Sequence, residues 1–358
     1  MEKIPKKWRE LPIKEKLSIP EEYFKIDRKE IEKIRKIDDP KKRLIEAARI
    51  QYELFKDIHT FLTVWIAGYA SDGAIRQYFG STSNLRNILI KPLKQIKGID
   101  YSWSDVKRNI KIPDEMTEEL AEETGIHIGD GNLYKGKDKH ECTVYQYGIT
   151  GNLIDEYIYH TVHIKNLFKS LFNIEPFLSQ RKNKNSIDSR IRSKAIISFK
   201  NKILGLCFGS KKDIKIPSEI LKNNEFMKKC IVGILDTDFN ITKYLAISGK
   251  IYSMHVAKAM HFSFKKNNID HVYKDYGNYA RFYIQKNAAY KIINEWQMHN
   301  PKHLSKIKVF GKFGKFIPFT TTPERLALLD GKIDINELEE ISKKRADGKK
   351  KASLFSYK

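Results

Sequence analysis

Two stretches of this chain repeat small residues on a helical period and end in an acid, and they constrain its fold more than any other feature. The first is Thr124-Gly125-Ile126-His127-Ile128-Gly129-Asp130-Gly131, and the second is Val232-Gly233-Ile234-Leu235-Asp236-Thr237-Asp238-Phe239. Thr117 suits the cap of a helix leading into the first stretch. Glu118 and Glu119 then fall in its first turn, where carboxylates oppose the positive end of the helix dipole. Ala121, Gly125 and Gly129 recur every four positions, which leaves a groove without side chains along one helix face. Gly233 and Thr237 repeat the small spacing in the second stretch. The expectation is two helices packed backbone against backbone, with Asp130 and Asp238 emerging side by side.

Two acids placed there need compensation. A helix C-terminus already carries about half a negative charge, and converging Asp side chains repel each other as well. A divalent cation with oxygen ligands, Mg²⁺ or Ca²⁺, answers both problems, because carboxylates and free backbone carbonyls are the ligands such ions take. Asp130-Gly131 alone would read as a turn after a helix. The second copy is what favours a site.

The two stretches resemble the paired LAGLIDADG motifs of single-chain homing endonucleases of the archaeal type. Ile112-Pro113-Asp114 leading into Leu120-Ala121 and Gly125 to Leu133 is similar to the entry to the first repeat, and Asn300-Pro301-Lys302-His303-Leu304-Ser305-Lys306 to the segment after the second. The resemblance covers residues 112 to about 320. Phe239 departs from it, standing where a glycine usually closes the second motif, as do Glu123 and Thr124 in place of Leu and Ala. The resemblance implies an α+β fold of two pseudo-symmetric α-β-β-α-β-β-α halves with saddle-like antiparallel sheets. It further implies a site-specific, double-strand DNA endonuclease of the homing type, working as a monomer on a long pseudo-palindromic site with Mg²⁺ or another divalent cation. In register, Asp130 and Asp238 hold the metal-binding position, and the carbonyls of Gly129 and Thr237 stand next to it as further ligands. The family keeps a basic residue near the metals, to which Lys212 and Lys306 correspond; such a lysine stabilises the charge developing on phosphate or holds the attacking water.

Charge points the same way. A formal net charge of +23 and a pI near 9.6 call for a polyanionic partner, most simply nucleic acid. No apolar run approaches the roughly 18 residues of a spanning helix and no apolar signal core follows Met1, so a cytoplasmic location is expected. Cys142, Cys207 and Cys230 have neither disulfide-framework nor zinc-ribbon spacing. His160 and His163 share a helix face, but no third ligand is near them in sequence, so they read as ordinary surface chemistry. The Val309 to Lys315 segment lacks the glycine and Ser/Thr pattern of a P-loop, which argues against an ATP-driven machine.

In chain order, residues 1–110 read as a separate, mostly helical domain. Within it, residues 72–89 suggest helix, glycine turn, helix, a pattern shared by helix-turn-helix DNA readers and by plain helical packing. Residues 111–222 and 223–320 form the two repeats. After Asp130, Asn132–Lys135 and Thr143–Tyr147 read as a hairpin, and Ile149-Thr150-Gly151-Asn152 leads into a helix with Tyr157, Val162, Leu167 and Leu171 on its apolar face. After Asp238, Ile241–Leu245 and then Ile247-Ser248-Gly249-Lys250 lead into the matching helix. A second hairpin follows in each half, and Lys200-Asn201 and Lys286-Asn287 each open another helix. Residues 321–358 read as a basic tail with little core potential, carrying Lys343-Lys344-Arg345 and Lys349-Lys350-Lys351.

The strands give the positive charge a place. From Arg190 to Ile197, period two sets Arg190, Arg192 and Lys194 on one face against Ile191, Ala195 and Ile197 on the other. In the second half, a Gly277-Asn278 turn precedes Tyr279, Arg281, Tyr283 and Gln285 on one face and Ala280, Phe282 and Ile284 on the other. Two-stranded ribbons with Arg, Gln and Tyr on the open face fit the major groove of double-stranded DNA. The competing functions are a catalytically idle, sequence-specific DNA-binding regulator on the same fold and an RNA maturase.

Overall fold

The computed structural model describes residues 26–55, 57–89, 98–138 and 141–346. The chain divides into two compact units, Met1–Gln95 with Tyr101–Asn109 and Ile96–Asp100 with Ile110–Lys358. The first unit is helical. Arg28–Arg35, Pro40–Phe55, Thr60–Ile66, Gly73–Phe79, Thr82–Leu89 and Trp103–Lys107 surround a core that includes Ile31, Leu44, Ala48, Leu62, Val64, Ile75 and Leu85. Gly80, at φ 71, makes the turn between the two helices of the 72–89 segment, a left-handed position that glycine adopts freely.

The second unit is mixed helix and sheet, with two four-stranded antiparallel sheets. Its first core helix runs Glu118–Asp130 and is capped by Thr117, whose hydroxyl accepts from the Leu120 N–H, as the sequence predicts. Strands β1 (Gly131–Lys137) and β2 (Thr143–Asn152), a helix through Lys165–Phe172, β3 (Phe177–Arg181), β4 (Ser186–Arg192) and a helix from Lys194 follow. The second core helix, Asn224–Asp238, opens the same order: β5 (Phe239–Ile241), β6 (Ile247–Ile251), helix Met254–Lys266, β7 (His271–Asp275), β8 (Ala280–Ile284) and helix Lys286–Lys291. The sheets are ordered β1-β2-β4-β3 and β5-β6-β8-β7.

Several sequence expectations change at the strands. Ile149-Thr150-Gly151-Asn152 and Ile247-Ser248-Gly249-Lys250 belong to β2 and β6 rather than to approaches to helices, because they pair with β4 and β8 across the sheet. Strand β5 starts at Phe239 and stops at Ile241, since Leu245 takes a left-handed φ of 58 in the turn that follows. Lys194 does not extend β4: Ser193 caps a helix there by accepting from the Ile196 N–H, and Lys194 begins that helix. Lys200 accordingly sits six residues into the helical run, in a π-helical turn at Phe199–Ile203.

Another π-helical turn, Tyr159–Ile164, precedes Lys165–Phe172. Such a turn inserts a residue into the helical repeat, so Tyr159 and Ile164 face the core while Val162, expected inside, is exposed. The C-terminal segment is not a featureless tail. Thr322–Leu329 and Ile335–Ala346 are helices whose Leu328 and Leu338 pack with Val309 and Ile317, and Arg345 is held by buried Glu324 at 2.6 and 2.9 Å. The basic Lys349-Lys350-Lys351 run lies outside the described residues.

Candidate active site at the paired helix ends

The glycine stripes do what their spacing predicts. A Cβ at Gly125 would fall on the Cys230 carbonyl, one at Gly233 on the Glu122 carbonyl and one at Gly129 on the Thr237 side chain. The core helices therefore touch along their backbones, and their last residues, Asp130 and Asp238, finish together. Asp238 lies within reach of Gly129, its carboxyl carbon 3.6 Å from where a Cβ would stand. Asp130 is half-buried and Asp238 is more open at the rim.

Burial pushes the Asp130 carboxyl up to about 7, helped by Glu156 and Asp238 and opposed by Lys302 and Lys211. Asp238 is raised as well: although the residue is exposed at the rim, its carboxyl group leans in against Gly129 and is partly desolvated there, with Lys211 and Lys302 pulling it back. These two lysines are the basic residues at the site. The Lys211 ammonium donates to the Gly129 carbonyl and, at 3.4 Å, to that of His127. Lys302 donates to Glu156 Oε1 at 2.8 Å and to the Thr237 carbonyl at 3.5 Å. The carbonyls expected beside the acids, Gly129 and Thr237, thus both meet an ammonium. A small cavity of about 160 Å³ is bounded by Gly129, Lys211, Asp238, Tyr252 and Ser253.

Lys212 and Lys306 stand elsewhere. Lys212 is exposed. Lys306, one turn beyond Lys302 on the helix Pro301–Phe313, donates to the Ile241 carbonyl at 3.4 Å and is drawn down to about 8, chiefly by burial. The ammonium groups that face the acids belong to Lys211, one residue before Lys212, and to Lys302, one helical turn before Lys306.

Glu156 is a third carboxylate that the sequence does not single out. It is buried, accepts from the Asn152 N–H at 2.7 Å and from the Asn300 side chain at 3.0 Å, and pairs with Lys302. Space for it comes from Gly151, where a Cβ would meet both Glu156 and His160. Asp236 has a different duty from Asp238. Its oxygens accept from the backbone N–H groups of His299 and Asn300, at 2.9 and 3.1 Å, and so fasten the helix that carries Lys302 to the second core helix.

The departures from the family pattern find partners. The Phe239 backbone is extended, at φ −109, and its buried ring occupies the space above Gly249, packed against Phe282. Glu123 makes a fully buried ion pair with Lys200 at 2.5 Å, and the Thr124 hydroxyl bonds back to the Leu120 carbonyl.

On the sheets, Arg190 and Arg192 lie on the open face of β4, where Arg190 bonds Asp188 at 2.6 Å and that acid also pairs with Arg181 at 2.9 Å. Lys194 leaves this face for its helix. In β8 the alternation holds: Arg281 is exposed and Tyr283 half-buried, opposite buried Ala280, Phe282 and Ile284. Tyr279 flanks the Gly277-Asn278 turn, closed by the Tyr276 N–H to the Tyr279 carbonyl, and Gln285 has passed into the cap of the next helix. Lys250 and Lys274 pair with Arg281 on either side and thicken the basic face.

No protein-family model matches this sequence, and no curated protein matches it either. Solved structures do resemble it. I-DmoI in complex with DNA and Mn is 17% identical over 51% of this chain and 98% of its own, with a TM-score of 0.39. A variant of I-DmoI in complex with its target DNA nicked in the coding strand covers 50% and 94%, at the same identity and TM-score. I-SmaMI bound to uncleaved DNA with calcium ions is 10% identical over 63% of this chain and 98% of its own, with a TM-score of 0.35. I-DmoI and I-SmaMI, to which this chain is similar, are homing endonucleases of the LAGLIDADG family.

Proposed function

We propose that the protein is a site-specific endonuclease of the homing type that hydrolyses both strands of duplex DNA with a divalent cation. The observation that carries this reading is the convergence of Asp130 and Asp238 at two touching helix ends, faced by Lys211 and Lys302. The donor set suits Mg²⁺: two carboxylates and, once their lysines swing aside, the carbonyls of Gly129 and Thr237 are all hard oxygens. When bound, such an ion lowers the pKa of water and neutralises charge on the leaving oxygen. The chain itself supplies the rest. Lys211 and Lys302 balance the acids and present cations to a phosphodiester, while Glu156 holds Lys302 in place. Arg190, Arg192, Lys250, Lys274 and Arg281 on the open strands supply contacts to backbone and bases. The helical first unit adds affinity without chemistry, and one chain spans the whole pseudo-palindromic site.

The test is strand-resolved cleavage of a randomised duplex library in Mg²⁺ by the parent protein, D130N and D238N. Double-strand cleavage by the parent and its collapse in both variants supports the assignment. DNA binding with no cleavage at any site would instead make the protein a regulator on this fold, and tighter binding to structured RNA at matched salt would favour RNA processing.

A further inference from the structure

The His160–His163 pair is not surface chemistry, and its second member opens a separate site. His160 is buried and bonds the Ser189 hydroxyl at 2.8 Å. His163 turns the other way. Its Nε2 lies 2.7 Å from Glu122 Oε1, and His299 Nε2 lies 3.7 Å from the other oxygen, Glu122 Oε2. The two imidazoles stack at 4.3 Å, and Tyr159 stacks on the far side of His163 at 5.2 Å. Glu122 is 5% exposed, and the group borders a cleft of about 600 Å³. Lys229, which lines the same cleft, is directed to Gln297 at 3.0 Å and Glu118 at 3.9 Å, and the imidazoles are the groups paired with Glu122.

We propose that Glu122, His163 and His299 bind a zinc-class transition-metal ion that clasps the two halves together. Two imidazoles and a carboxylate are borderline ligands that select Zn²⁺, Co²⁺ or Ni²⁺ over Mg²⁺. The three ligand atoms lie within 4.8 Å of one another. A tetrahedral zinc site has edges of ~3.3 Å, and rotation of the two histidines about their χ angles supplies the contraction. The cleft leaves the fourth position to water. Each ligand comes from a different segment: the first core helix, the π-helical turn of the first half, and the residue whose N–H is bound by Asp236 of the second core helix. Glu122 precedes Asp130 by eight residues, about 12 Å along the helix. The ion would hold the halves in register, apart from the acids.

The experiment titrates the full chain carrying D130N/D238N, which removes the other acid pair, with ZnCl₂ in a calorimeter and in thermal melts. One ion per chain and a rise in Tm that EDTA reverses are expected. Adding H163Q/H299Q should weaken binding by more than the about 100-fold that losing outer-shell partners alone can cost. No binding, or equal binding in both proteins, overturns the proposal. Should H163Q/H299Q fail to fold, Co²⁺ added to the D130N/D238N chain decides: tetrahedral visible bands support the site, and their absence refutes it.

Discussion

Asp130→Asn tests the paired-acid site through stability as well as cleavage. Burial, Glu156 and Asp238 raise the Asp130 carboxyl from its ordinary 3.8 to about 7. An acid that binds its proton more tightly when folded favours the fold below pH ~4 and loses that contribution as the pH rises through about 7. At about 1.4 kcal/mol per tenfold change in proton affinity, the ionised carboxylate costs the fold at most about 4 kcal/mol at pH 8. The asparagine removes that cost but leaves a buried amide short of partners, a penalty of about 1–3 kcal/mol. A net gain of roughly 1–3 kcal/mol is therefore expected at pH 8, vanishing or reversing at pH 4. Urea melts of parent and variant at both pH values, in EDTA, read the difference. Mg²⁺ at pH 8 should then raise the parent's stability and leave the variant's nearly unchanged. A variant less stable than its parent at pH 8, or a difference that ignores pH, would refute the electrostatic account and make Asp130 a structural residue.

The buried Glu123–Lys200 pair predicts that Glu123→Gln or Lys200→Met alone lowers stability by about 3–5 kcal/mol in urea melts. The E123L/K200M double variant should recover most of it, and additive losses would contradict the pairing. Gly233→Ala drives a Cβ into the Glu122 carbonyl, so its Tm should fall by more than the ~1–3 kcal/mol of ordinary overpacking implies. Lys211→Met removes a cation that lowers the proton affinity of both acids, and the acid limb of the pH–rate profile for cleavage should move up by about one pH unit; an unchanged profile would detach Lys211 from the site. Arg281→Ala should reduce the slope of log affinity for duplex against log salt by about 1, and an unchanged slope would take Arg281 off the DNA phosphates.

What can be seen in the sequence is whatever obeys a local period. The small-residue stripe, its Thr117 cap, the terminal acids and the alternation of Ala280 to Ile284 all follow from repeats of 3.6 or two residues. What stays hidden depends on contacts between distant segments. Lys211 and Lys302 differ from their many neighbours only in facing the acids, which no spacing reveals. Glu156 lies in an unremarked loop, and its signal is Gly151, the small residue beneath it. Period two misplaces Lys194 because a capping serine breaks the strand, and the 3.6 repeat misplaces Val162 because a π-helical turn advances the helix by one residue. In the C-terminal helices, the dense charge of Lys343 to Arg345 masks the spacing of Leu328 and Leu338.

The clasp around Asn300 has a consequence for how the molecule is made. The Asn300 amide donates to Asp236 and to Glu156, the latter 144 residues earlier, and Lys302 reaches Glu156 across 146. Joining such distant segments is slow, because loop-closure entropy is lost before any contact rewards it. A ribosome that has released both core helices has therefore produced two acids without one of the ammonium groups that balance them. The emerging chain cannot hold Lys302 against Glu156 until the segment around Asn300 has appeared, so the site at the paired helix ends is completed late in synthesis rather than with the motifs themselves.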